Sequence, residues 1–127
     1  MARQSKPTDA ELDLLKVLWD NGPCTVAQVQ AFLKDDPPRG YTTILKLMQI
    51  MTEKGLVKRD EKKKAHVYRA AITNKQAHHR YLRHLLDKAF DNSTSKLVAH
   101  ALSARPVSAG ELAEIRRLLD ELEEKSK

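Results

Sequence analysis

A mainly α fold with one small β-hairpin follows from three observations on this 127-residue sequence. Four Ser or Thr residues are each followed three positions later by Glu or Gln, the reciprocal capping box that opens a helix. Apolar residues recur at helical spacing to about residue 54, then shift to a period near two between 56 and 72. Beyond Ile72 the helical spacing returns. Three helices, a hairpin and further helices is the order of a winged helix-turn-helix followed by a helical C-terminal dimerisation segment. The two domains are expected at 6–72 and 73–127.

The boxes are Thr8–Glu11, Thr25–Gln28, Thr73–Gln76 and Ser108–Glu111. The first helix is expected from about residue 9 to 20, with Leu12, Leu15 and Trp19 on one face. Asn21-Gly22-Pro23 ends it, because Gly accepts positive φ and Pro cannot continue a helix. The second spans about 26–34, with Val26, Val29 and Leu33 inward, and Asp35 to Gly40 is a turn. The third spans about 41–54 and stops at Gly55, with Ile44, Leu47, Met48 and Met51 at i, i+3, i+4 and i+7 facing the core. Leu56 to Arg59 reads as a strand, Asp60 to Lys64 as a polar turn and Ala65 to Ile72 as a second strand. Helices four, five and six are expected at about 74–90, 94–102 and 109–124.

Composition narrows the function. With 41% hydrophobic and 31% charged residues the chain is globular, and no apolar run reaches the roughly 18 residues of a membrane span. The opening segment has no apolar core of a signal peptide, and Cys24 is alone, so a cytoplasmic, reducing location is expected. Residues 39–69 carry nine bases against three acids, which equals the whole chain's net charge of +6. A basic footprint confined to one stretch implies a polyanionic partner, the bland alternative being a solvated surface. No enzyme is expected: there is no glycine-rich phosphate loop, nucleophile elbow or zinc-peptidase motif. No cofactor or metal is expected either, since His78, His79 and His84 lack the i, i+4 spacing for sharing an ion.

If the third helix reads DNA, removing its core positions leaves Tyr41, Thr42, Thr43, Lys46 and Gln49. Thr suits phosphate or the thymine methyl, Gln the paired edge of adenine, Lys guanine or phosphate. The hairpin tip, with Lys62, Lys63 and Lys64 flanked by Arg59 and Arg69, suits phosphate contact that raises affinity without specifying sequence. Arg39, just ahead of the third helix, completes the candidate DNA-binding set with Arg59. Helix six carries Leu112, Ile115, Leu119 and Leu122 on one side. Together with Leu85 of helix four these are the candidate dimerisation residues, since a terminal amphipathic helix outside the compact core buries its stripe economically against a second copy.

Several strings resemble the penicillinase-repressor (Bla/Mec-type) family of winged-helix regulators over about residues 6–124. Pro7-Thr8-Asp9-Ala10-Glu11-Leu12 with Leu18-Trp19 resembles that family's first helix, and Thr25-Val26-Ala27-Gln28-Val29 its second. Tyr41-Thr42-Thr43-Ile44 and Glu53-Lys54-Gly55-Leu56-Val57 resemble its recognition helix and the turn into the wing, and His66-Val67-Tyr68-Arg69-Ala70 its second wing strand. The resemblance implies a homodimeric repressor on a palindromic double-stranded DNA operator. It also implies control by a membrane-bound sensor peptidase, with the repressor itself not inserted in the membrane. The expected cleavage region falls at His100-Ala101, where well-known members carry Asn-Phe; Ile50 stands where a basic residue is common. The alternatives are a winged-helix protein-interaction module or an effector-sensing regulator without proteolytic control.

Overall fold

The computed structural model describes residues 6–34, 38–62 and 64–127. The chain divides into two compact units, one ending at Leu85 and the other running Leu86–Lys127.

In the first unit, α1 (Asp9–Asn21), α2 (Val26–Phe32) and α3 (Tyr41–Glu53) precede an antiparallel pair, β1 (Val57–Asp60) and β2 (Val67–Ala70). Each start is chemically specified. The Thr8 and Thr25 hydroxyls accept from the backbone N–H of Glu11 and Gln28, whose side chains accept from the Thr backbone N–H in return. The same reciprocal pair at Thr73 and Gln76 opens α4 (Asn74–Ala89). Gly22 ends α1 at φ +79°, and Gly55 follows α3 at φ +78°, conformations that a Cβ disfavours.

Leu14, Leu15, Leu18, Val29, Ile44, Met48, Met51, Leu56, Val57 and Tyr68 form the centre of the core. On α1 the buried stripe is Glu11, Leu14, Leu15 and Leu18, so the expected face is rotated: Leu15 is central while Leu12 and Trp19 lie at its margin. Trp19 is half-buried there, with its indole N–H satisfied by the Ile72 carbonyl at 3.1 Å. Leu33 is a half-buried cap residue, and Leu47 packs on the core edge.

Both strands start one to two residues later than the hydrophobic pattern suggests; β1 keeps its expected four residues, whereas β2 has half its expected length. Val57 pairs with Ala70, Lys58 with Arg69, Arg59 with Tyr68 and Asp60 with Val67. Only four residues of β1 face β2, and the chain beyond them has no ladder partner there. On the inner side of β2, Cys24 acts as a one-residue third strand, exchanging both backbone hydrogen bonds with Tyr68 at 2.9 and 2.8 Å. The first turns of α4 fasten to this unit through buried Ala77, an edge-on contact of His78 with Trp19, and the Tyr81 hydroxyl donating to Asp9 at 2.8 Å. That bond raises the Tyr81 pKa. The expected turn before α3 falls largely at 35–37, outside the described residues.

The second unit holds the end of α4, then α5 (Thr94–Ala104) and α6 (Ala109–Lys125). Asp91 and Asn92 take positive φ in the link, as short polar residues tolerate. Ser93 caps α5, with Lys at the third position, so no reciprocal box marked this start in the sequence. Ser108 caps α6 but only the first half of the expected box forms. No residue of Leu86–Lys127 is buried. None of the described helices is long and apolar enough to cross a membrane.

Candidate nucleic-acid interface

Burial of Ile44, Met48 and Met51 on one side of α3 turns the opposite side outward by helical periodicity. That side exposes Thr42, Thr43, Lys46, Gln49, Ile50 and Glu53, and Tyr41 is half exposed beside them. Thr42, Thr43, Lys46 and Gln49 make no side-chain hydrogen bond or ion pair within the described residues, so their donors and acceptors are available. The start of α3 differs from those of α1 and α2. Gly40 is the N-cap, so no side chain satisfies the first backbone N–H groups, which sit at the positive end of the helix dipole.

The hairpin adds cations beside this helix. Val57 and Tyr68 share the face turned to the core, which leaves Lys58, Asp60 and Arg69 on the outer face. Lys58 and Arg69 are direct cross-strand partners, both exposed and without an acid partner among the described residues. Like charges directly opposed weaken a ladder. They border an open hollow of about 930 Å³ that Thr52, Gly55 and Lys62 also line. The two acids of the tip are already engaged: the Asp60 carboxylate accepts the Lys62 N–H at 3.0 Å, and Glu61 pairs with Arg59. Arg59 also faces Tyr68 across the ladder. The Tyr68 hydroxyl is buried and completes no well-formed hydrogen bond among the described residues, so this is a charge–dipole contact. With Glu61 it holds the guanidinium pKa above its ordinary value.

A smaller cleft of about 210 Å³ lies where the starts of α2 and α3 meet the wing, lined by Thr25, Tyr41, Lys64 and His66 around an apolar floor. The expected DNA-facing residues thus fall in two groups: Tyr41, Thr42, Thr43, Lys46 and Gln49 on α3, and Arg59, Lys62 and Lys64 on the wing. Lys63 lies outside the described residues. Arg39 is engaged by Asp13 of α1 at 2.6 Å. Lys58 and the pairing of Glu11 with Lys54 escaped sequence reasoning, because cross-strand register and a contact 43 residues apart leave no local signal.

Among the expected dimerisation residues, Leu112, Leu119 and Leu122 are exposed on α6, Ile115 is half-buried and Leu85 half-buried at the end of the first unit. Leu118, 54% exposed, adds to the apolar side of α6. His100 and Ala101 are exposed on α5, the His100 ring 5.4 Å from that of Phe90. No group of three or more His, Cys, Asp or Glu side chains among the described residues is placed to hold a metal ion.

The family described as penicillinase repressor matches residues 7–121 of this chain, nearly its whole length. No curated protein matches it.

Proposed function

The chain belongs to the penicillinase repressor family, and on that premise we propose that it represses transcription in the cytoplasm as a homodimer bound to a palindromic operator. Residues 6–72 read the DNA and residues 73–127 hold the dimer. The observation that carries the reading is the outer surface of α3 and the wing. One uncapped helix presents Thr, Lys and Gln side chains beside a cross-strand pair of cations that have no acid partner among the described residues. A polyanion offsets the repulsion between Lys58 and Arg69, and the free N–H groups at Gly40 suit a phosphate.

Thr42, Thr43, Lys46 and Gln49 read bases from the major groove, with Tyr41 at its edge. Arg59, Lys62, Lys63 and Lys64 contact phosphate along the wing. Dimerisation is supported by the absence of any buried residue in Leu86–Lys127. A helical unit with no core of its own gains one from a second copy, and the apolar side of α6 supplies the surface. Two reading helices then address half-sites about 34 Å apart or a multiple of that. Inactivation on induction proceeds by cutting α5 at His100-Ala101, which its exposure supports.

The test is binding of the purified protein to its own upstream DNA, with mapping of the protected bases. A protected palindrome is expected. Replacing Lys62, Lys63 and Lys64 by Ala lowers affinity for every duplex and reduces the salt slope by about 1 for each lysine that contacts a phosphate. Gln49→Ala instead lowers the preference for the protected sequence. Unchanged binding by the triple variant across several salt concentrations rules out the wing contact. Recovery of a fragment ending at His100 from derepressed cells checks the proteolytic branch.

A further inference from the structure

Three carboxylates at alternate positions of α1 hold three different parts of the first unit. Asp9 accepts the Tyr81 hydroxyl of α4 at 2.8 Å. Glu11, almost wholly buried, accepts Lys54 Nζ at 2.9 Å through the same oxygen that caps the Thr8 N–H. Asp13 accepts the Arg39 guanidinium at 2.6 Å. Lys54 is the C-cap of α3 and Arg39 immediately precedes its N-cap, Gly40. The approach to α3 is further fixed by Gln30 of α2, whose amide donates to the Arg39 carbonyl at 3.0 Å. Glu11 and Asp13 therefore grip the candidate reading helix at both ends, from one rigid neighbour.

We propose that Glu11 and Asp13 are positioning residues for base discrimination, an inference that rests on the DNA-binding reading above. The apolar contacts of Ile44, Met48 and Met51 hold α3 against the core, but burial is non-directional and tolerates small slides and rotations of the helix. Charge-assisted hydrogen bonds are short and directional, and one at each end fixes both the axial position and the rotation. Base readout by Thr43, Lys46 and Gln49 depends on that pose to within a fraction of an ångström. Phosphate attraction along the wing is long-ranged and depends on it far less. Loss of the grip should therefore blur sequence preference and leave the electrostatic component of binding alone.

The experiment compares the full-length parent with Glu11→Gln, Asp13→Asn and Asp9→Asn. Each is titrated at several salt concentrations against a duplex enriched by the parent from a random library and against a scrambled duplex of the same length. Gln keeps the acceptor for the Thr8 N–H and removes only the charge facing Lys54. The Asp13 pair is partly exposed, so Asp13→Asn keeps the fold and carries the test even where Glu11→Gln does not fold. The expected result is a preference ratio lowered about tenfold by either variant, comparable to losing one base-pair contact. The salt slope stays at the parent's value and Asp9→Asn, which touches only α4, keeps the parent's ratio. Three results overturn the inference. A full ratio kept by the folded variants leaves the pairs a purely structural role. An equal loss in Asp9→Asn assigns the effect to a general loosening of α1. Tighter binding of both duplexes by Asp13→Asn with a steeper slope assigns the effect to phosphate contact by Arg39. A parent that enriches no sequence overturns the DNA-binding reading itself, and this inference with it.

Discussion

Tyr68 shows how one side chain ties the wing to the helices. Its backbone N–H and C=O both bond to Cys24, it stands opposite Arg59 in the pairing with β1, and its fully buried side chain belongs to the core. The ring, and not the hydroxyl, supplies the stabilisation, because the buried oxygen has no well-formed hydrogen bond among the described residues. Tyr68→Phe is expected to change unfolding free energy by less than about 1 kcal/mol in either direction, whereas Tyr68→Ala costs about 3–5 kcal/mol. Urea titration separates the two, and a Phe variant as unstable as the Ala variant would reveal a hydroxyl partner. Cys24 beside it is equally structural. Burial pushes the thiol pKa up, and the S–H donates to the Gly22 carbonyl at 3.3 Å, so the sulfur is held as an unreactive thiol.

At the scale of the element, α3 trades local stability for access. α1 and α2 open with Thr caps, yet α3 opens with Gly40, at φ −72° and ψ 154°, backbone angles that an Asp or Ser cap adopts without strain. A Cβ at Gly40 meets nothing within 4 Å, so space does not demand glycine there. Its absence of a side chain instead leaves the first backbone donors open. Gly40→Asp should therefore stabilise the fold by a few tenths of a kcal/mol, the gap between Gly and Asp at this position. It should also weaken binding to any duplex, because a carboxylate then occupies the place offered to phosphate. Thermal unfolding and a binding titration on the same variant check both signs. Stability and affinity rising together would remove the helix start from the interface.

At the scale of the molecule, the two units differ in how they are held together. The first has a core of fully buried side chains drawn from three helices and the hairpin. The second has three helical segments and no buried residue, with Leu118 and Leu119 each 54% exposed and Leu122 64% exposed. These exposed leucines of α6 are the surface on which the proposed dimer rests. Leu119→Asp with Leu122→Asp is expected to give a monomer by sedimentation and to leave the fold of the first unit intact. Operator affinity should fall by at least about tenfold, since each half-site is then bound separately. A double variant that remains dimeric with full affinity would move the interface elsewhere.

Much of this molecule is determined by its local sequence. Capping boxes act over three residues and positive-φ glycines over one, so the starts of α1, α2 and α4 and the ends of α1 and α3 follow from the chain alone. The basic stretch from Arg39 to Arg69 and the outward stripe of α3 follow from counting and from helical period, and the family resemblance rests on short residue strings such as Tyr41-Thr42-Thr43-Ile44. Contacts distant in sequence were decided only by the tertiary structure. Glu11 lies buried beside the leucines of α1 with Lys54, 43 residues away, on its carboxylate, and strand length depended on how much of β1 lay opposite β2. Arg39 reads in sequence as one more cation for DNA, but in the fold it meets Asp13 at 2.6 Å. A side chain's type and spacing fix what it can do; only the packed chain fixes which partner reaches it first.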